Sequence, residues 1–192
     1  MAHLVGRKAP HFSSSAIVNG SFSKDFSLDQ FIGKSNVLFF FYPKSFTSLC
    51  QSELQAFDVC IDAFKAVDTV VVGCSTDTSD VHKAYMNVPQ SEGGIAGIQY
   101  PLVSDANKTI STNYDVLSGD YDYGDDGLLS ADSDMVALRG LFLIDKTGMV
   151  QHQLINFYAL GRSVDEALRM ASALHHLQTH GEGCPANWTP AG

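Results

Sequence analysis

The stretch that most restricts the fold is Asn36 to Phe57, NVLFFFYPKSFTSLCQSELQAF. Val37 to Tyr42 is an unbroken apolar run, the composition of a central strand buried on both faces. Pro43 interrupts it, since proline brings no backbone N–H to a ladder. Beyond it Leu54, Phe57, Ile61 and Phe64 recur at helical spacing, so an amphipathic helix packed on a sheet is expected. Ser48 and Gln51 have the S-x-x-Q spacing of a capping box, with Thr47 as the alternative cap. A strand that ends at a helix start, with Cys50 in the first turn, presents a thiol to unpaired backbone N–H groups.

The rest of the chain supplies partners for that strand. Asn19-Gly20 is a hairpin turn signal, and Ser27 to Phe31 reads as a short helix or turn. Thr69 to Ser75 is a second buried strand. Asp77 or Ser79 can cap a helix through Val81 to Met86. Tyr100 to Val103 reads as a short strand and Ala106 to Tyr114 as a short helix. Ala137 to Ile144 and Met149 to Ile155 flank Asp145-Lys146-Thr147-Gly148 as a β-hairpin. Ser163 and Glu166 form a second capping box, opening a helix with Val164, Ala167, Leu168, Ala171, Leu174 and His175 on one side. This alternation predicts an α/β fold with a central mixed sheet flanked by helices. Residues 1–176 are expected to form one domain and 177–192 an extended C-terminal arm rich in Gly and Pro.

Ser118 to Asp134, SGDYDYGDDGLLSADSD, differs in character: six aspartates, three glycines and no basic residue. It lacks the Gly and terminal Glu placement of a calcium loop, so a solvated acidic loop is expected.

Of the 192 residues, 45% are hydrophobic and 17% charged, a globular composition, and the net charge of -9 argues against nucleic acid or an anionic membrane as partner. The apolar runs are strand-sized, and the N-terminus carries no signal-peptide core. A cytoplasmic location is the default expectation.

Four cysteines do not make a secreted disulfide scaffold, and none is spaced C-x-x-C, so neither a thioredoxin-type dithiol nor a zinc knuckle is expected. Cys60 and Cys74 fall in apolar patterns and read as packing residues. Cys184, in GEGCPANW, has no helical or strand period around it, and an exposed thiol there invites a redox role. Cys50 is either a core cysteine or a nucleophile. A free thiol is about 3% ionised at pH 7, and lowering its pKa by about 2.5 units takes about 3.4 kcal/mol. A helix N-terminus supplies at most about 2, so a nucleophile there needs a second donor or charge. Arg139 and Arg162 are the candidates, but spacing alone cannot bring them to Cys50.

With these residues in place, the chain resembles the typical two-cysteine peroxiredoxins, including the bacterial alkyl hydroperoxide reductases. The family's P-x-x-x-T-x-x-C signature appears as Pro43 through Thr47 to Cys50, with Glu53 following. Arg139 in ALRGLFLID and Arg162 in LGRSVDEALR match the family's two active-site arginines, and Cys184 in GEGCPANW its resolving cysteine. The resemblance covers nearly the whole chain and implies a thioredoxin-like fold. It implies that Cys50 attacks a peroxide, that Thr47 hydrogen-bonds the thiolate and peroxide, that Arg139 stabilises developing charge, and that Pro43 shields the sulfenic acid. Glu53 then orients Arg139 and Arg162, and Cys184 from a second copy of the chain forms a disulfide with Cys50. The implied partners are a peroxide substrate, a thioredoxin or flavoprotein disulfide reductase, and copies of the chain in homodimers that assemble into a decamer. No cofactor or metal is implied. A redox sensor or relay, or a holdase chaperone, are rivals on the same fold.

Four positions depart from the usual Asp-Phe-Thr-Phe-Val-Cys-Pro: Ser45, Ser48, Leu49 and Gln51. Gln51 replaces a rigid proline, so an easier unwinding of the first helical turn is expected. The family's GGLG loop appears as Gly93-Gly94-Ile95-Ala96, no Tyr-Phe helix follows before Gly192, and the acidic stretch is an insertion.

Overall fold

A computed structural model describes residues 3–190. Its sheet is built around the predicted central strand. In chain order come β1 (Ser14–Val18), β2 (Ser21–Phe26), β3 (Asn36–Phe41), α1 (Ser48–Val59), α2 (Ile61–Ala66), β4 (Thr69–Ser75), α3 (Ser79–Asn87), β5 (Leu102–Ser104) and α4 (Thr109–Asn113). Then follow β6 (Leu117–Ser118), β7 (Tyr121–Tyr123), β8 (Leu129–Ala131), β9 (Val136–Ala137), β10 (Arg139–Ile144), β11 (Val150–Asn156) and α5 (Val164–His180). Seven strands form one mixed sheet in the order β11-β10-β3-β4-β5-β1-β2. β3, β4 and β5 run parallel, while β10 lies antiparallel to β3 and hairpins back into β11.

β3 is central and buries all six of its residues. Its two faces separate by strict alternation. Leu38, Phe40 and Tyr42 pack with Leu54, Phe57, Phe64, Ala167 and Leu174 from α1, α2 and α5. Val37, Phe39 and Phe41 pack with Phe12, Ile110, Tyr114 and Phe142 on the other side. Phe40 stacks on Phe57 with ring centroids 4.4 Å apart. Each such buried ring stabilises the fold by about 1.5–3 kcal/mol through area removed from water. The sheet thereby presents the C-terminal end of β3, where Pro43 turns the chain, to the start of α1.

Several local expectations change. The helix expected to run from Ser48 past Phe64 breaks at Cys60, whose φ and ψ are -93° and 6°. The break keeps Phe57, Ile61 and Phe64 in the core and turns Val59 out to solvent. Thr78, not Asp77 or Ser79, caps α3, its hydroxyl accepting from Val81 N–H. Ser163 caps α5 as expected, but Glu166 closes only half of the box, its carboxylate pairing with Arg169 instead. The acidic stretch is not an irregular loop: β7 and β8 pair as an exposed hairpin. Its carboxylates serve as local acceptors: Asp132 takes the Asp120 N–H at 2.9 Å and Asp126 the Leu128 N–H at 3.0 Å.

The C-terminal arm also differs from expectation. α5 continues four residues past 176 to His180 and ends at Gly181, whose φ of 72° suits a left-handed cap. The segment beyond folds back on α5 instead of extending. Arg169 Nη1 donates to Trp188 O at 3.0 Å, and the Trp188 ring lies 5.2 Å from that of His176.

Candidate active site

The site forms where β3 ends. Pro43 closes the strand, Phe46 takes the left-handed conformation with φ at 60°, and the backbone then enters α1 at Thr47. Thr47 is the N-cap by conformation, but its hydroxyl donates to Lys44 O at 3.1 Å rather than to the helix or to Cys50. The Ser48–Gln51 capping box does not form, since α1 has no side-chain cap and the Gln51 amide points across to a neighbouring loop. Pro43 is buried and, with Lys44, Asp134 and Tyr158, lines a small depression at the edge of the acidic hairpin.

Cys50 is 1% exposed. Arg139, the first residue of β10, reaches it from the neighbouring strand, with Nη1 3.5 Å from Sγ. That guanidinium is aimed by two other bonds: Nη1 also donates to Glu53 Oε2, and Nε donates to Tyr158 O at 2.7 Å. Glu53 lies three residues after Cys50, on the same face of α1. Arg162 completes the group from the segment before α5. Its backbone N–H and Nε donate to Glu53 Oε1 at 2.7 and 2.9 Å, and Nη2 donates to Glu53 Oε2 at 2.9 Å. Arg162 Nη1 is spent on Phe41 O and Gly140 O, both at 2.7 Å, and its guanidinium sits 5.0 Å above the Phe40 ring.

The electrostatics follow from this geometry. Two guanidiniums and one carboxylate leave a net charge of one positive unit beside the sulfur. Burial alone would raise the Glu53 carboxyl, but hydrogen bonds and charge from Arg162, with a smaller contribution from Arg139, hold it below its ordinary value. Burial lowers Arg162, and Glu53 partly offsets this. Arg162 hydrogen-bonds Glu53 and two carbonyls but not Cys50, so it reaches the sulfur by its charge alone while it holds Glu53 in place.

A second polar group, missed in the sequence, anchors the loop from below. Asp77 Oδ2 accepts the Ser45 N–H at 2.8 Å and the Ser75 hydroxyl at 2.9 Å. Ser75 Oγ lies 2.8 Å from His82 Nε2. The ring also meets the Leu102 backbone, and its Nδ1 is buried. Burial pushes His82 down to about 4 despite the opposing charge of Asp77. The sequence signal was present, in Ser75-Thr76-Asp77 at the end of a buried strand, but Asp77 read there as a helix cap.

Cys184 is not brought to Cys50. Its Sγ lies 3.5 Å from Ala173 O, in a groove lined by Leu143, His152, Met170 and Leu177. Arg139 pairs with Asn156 at the active-site end of the sheet, while Leu143 pairs with His152 four residues farther along, about 13 Å away at the strand rise. Cys60 is half-buried against the helical core, and Cys74 is buried in β4, where burial raises its thiol. Among the described residues no group of three or more His, Cys, Asp or Glu is arranged to hold a metal, and no helix is long and apolar enough to cross a membrane.

Comparison with known proteins bears on the family and the fold. Residues 5–153 match the model of the AhpC/TSA family. A thioredoxin-dependent peroxide reductase of human mitochondria is 43% identical over 189 residues, covering 98% of this chain and 68% of that protein. The rat counterpart is 44% identical, and this chain spans 66% of its length, so about two thirds of these relatives is represented here. Alkyl hydroperoxide reductase C of Helicobacter pylori strain J99 is 41% identical, covering 96% of this chain and 87% of its own. The crystal structure of reduced Plasmodium vivax 2-Cys peroxiredoxin superposes with a TM-score of 0.86 at 42% identity, covering 100% of this chain and 92% of that one. The thioredoxin-like fold expected from the sequence is therefore the fold of the chain.

Proposed function

This chain belongs to the AhpC/TSA family, and on that premise we propose that it is a thiol peroxidase with Cys50 as the attacking nucleophile. The observation that carries the reading is the Arg139 guanidinium, 3.5 Å from Cys50 Sγ and held by Glu53 and Tyr158 O so that it cannot swing away. A fixed cation at the sulfur needs no reorganisation when charge moves onto the departing oxygen. The thiolate attacks the terminal oxygen of hydrogen peroxide or an organic hydroperoxide. The O–O bond breaks, water or an alcohol leaves with one added proton, and Cys50 becomes a sulfenic acid. Thr47, whose hydroxyl donates to Lys44 O before substrate arrives, is the signature residue that would hydrogen-bond the peroxide, and buried Pro43 covers the loop against water. Glu53 is a positioning residue that acts through Arg139, and Arg162 holds Glu53 while adding its own charge.

Cys184 condenses with the sulfenic acid to a disulfide, and water is lost. The separation of the two thiols along the sheet supports a second copy of the chain as the donor of Cys184, in a homodimer that assembles further, up to a decamer. A dithiol reductase of the thioredoxin or flavoprotein class returns both thiols by exchange, so a reducing compartment such as the cytoplasm suits the cycle.

The test is peroxide consumption with a thioredoxin and thioredoxin reductase system. Cys50→Ser is expected to consume none, and Cys184→Ser about one equivalent per chain, or about two where the sulfenic acid is oxidised on to sulfinate, without turnover. A non-reducing gel of oxidised wild type should show a dimer-sized band missing from both variants. Full turnover in Cys50→Ser would rule the reading out.

A further inference from the structure

Gln51 makes contacts that contradict the looser first turn expected from the loss of proline. Its backbone N–H donates to Thr47 O at 2.9 Å, a bond that proline cannot make and that closes the start of α1. Its side-chain Nε2 donates to Gln90 O at 2.8 Å and to Gly94 O at 2.9 Å. One turn on, Gln55 adds a longer bond to Gly94 O at 3.4 Å. The accepting loop is itself braced: Gly94 N–H donates to Pro89 O, and Ala96 N–H to Val88 O, both at 3.0 Å. A β-carbon on Gly94 would lie 2.1 Å from Val88 O, so only glycine lets this loop lie so close. Gln51 thus ties the turn that carries Cys50 to a rigid neighbour.

The tie matters because Cys50 is almost without exposure. A small peroxide needs far less opening to reach the buried sulfur than a protein thiol does, and having reached it once it can reach it again. A second protein thiol cannot: for Cys184 to reach the sulfur, the turn from Ser48 to Gln51 must leave its place, and the Gln51 bonds must break first. We propose that Gln51 is a latch that holds this turn shut after the first oxidation and diverts part of the sulfenic acid from disulfide to sulfinic acid. This rests on the peroxidase reading above. In the diverted branch, sulfenate and a second peroxide give sulfinate and water or alcohol: sulfur gains one oxygen and loses two electrons, and the peroxide O–O bond is cleaved. In the competing branch, sulfenic acid and the Cys184 thiol give disulfide and water.

Gln51→Met keeps the length of the side chain and removes both side-chain bonds, and Gln51→Pro removes the backbone bond as well. With peroxide and the reductase system present, mass spectrometry should find about tenfold less Cys50 sulfinate per turnover in either variant, one net hydrogen bond's worth of easier opening (~1.4 kcal/mol). Amide exchange over residues 48–52 of the reduced protein should quicken by about the same factor. In a Cys184→Ser background, where no thiol competes, sulfinate yields should be equal with and without the latch. Unchanged exchange and unchanged sulfinate yield in both variants would overturn the latch. Failure of wild-type Cys50 to form a sulfenic acid would instead overturn the peroxidase reading, and the exchange rates would still decide whether the turn is latched.

Discussion

Around Cys50 every neighbour is itself pinned. Arg139 is held by Glu53 and a carbonyl, Glu53 by Arg162, Arg162 by two strand carbonyls, and the loop before Thr47 by Asp77. Around Cys184 the opposite holds: a segment without strand or helix leans on α5 through one Arg169 bond, one ring contact and the thiol's own bond to Ala173 O. The two thiols of one proposed reaction are therefore fixed by very unequal amounts of structure. The stiff side sets the chemistry, since a preorganised charge must not move. The soft side supplies reach, since a thiol that must travel to another site cannot be built into a lattice.

The contrast breaks most sharply at Arg162. Arg162→Met removes a buried partner of Glu53 and is expected to cost about 3–5 kcal/mol in urea unfolding, because the carboxylate loses most of its hydrogen bonds while staying out of water. A loss below about 1 kcal/mol would mean that the stiff side is less tightly built than its bonds suggest.

Next in size is the pH response of the same side. His82 titrates near 4 in the folded protein against an ordinary 6.5. The unfolded chain therefore binds the extra proton first, and stability falls as pH drops from about 6.5 to 4, by about 3 kcal/mol in all. Unfolding midpoints between pH 7 and pH 4 should fall less steeply in His82→Gln than in wild type, and parallel curves would show that His82 is not held neutral. Glu53, lowered by its arginines, adds stability that is lost only at still more acid pH, as it protonates.

The smallest effect belongs to the soft side. Trp188→Ala, which removes the single tryptophan, should shift the unfolding free energy by less than about 0.5 kcal/mol. It should nevertheless raise the alkylation rate of Cys184 a few-fold, measured against a Cys184→Ser control. A large loss of stability would show that the segment is part of the core after all.

Much of this was legible from the chain. The apolar runs at 37–42 and 69–75 became adjacent parallel strands, the hairpin around Lys146 formed as read, and the helix after Ser163 has its apolar side inward. Burial pattern is local: a side chain's face follows from its position in a two- or 3.6-residue period. The misses share a different cause. Asp77 and Gln51 carry cap-like spacing, but their polar atoms find better partners on other elements, and a spacing rule cannot weigh an acceptor 39 residues away in the chain. The acidic hairpin escaped because its strands are exposed on both faces and show no apolar alternation.

For the central stretch the division is clear. Sequence alone determined that Val37 to Tyr42 would be a core strand and that Cys50 would open a helix, because apolar periodicity and a proline act within a few residues. Only the tertiary structure decided that Arg139, from the next strand, would reach the sulfur. It also decided that the Gln51 amide would bind the loop at Gly94, because hydrogen bonds between distant elements depend on register and packing that no single segment encodes.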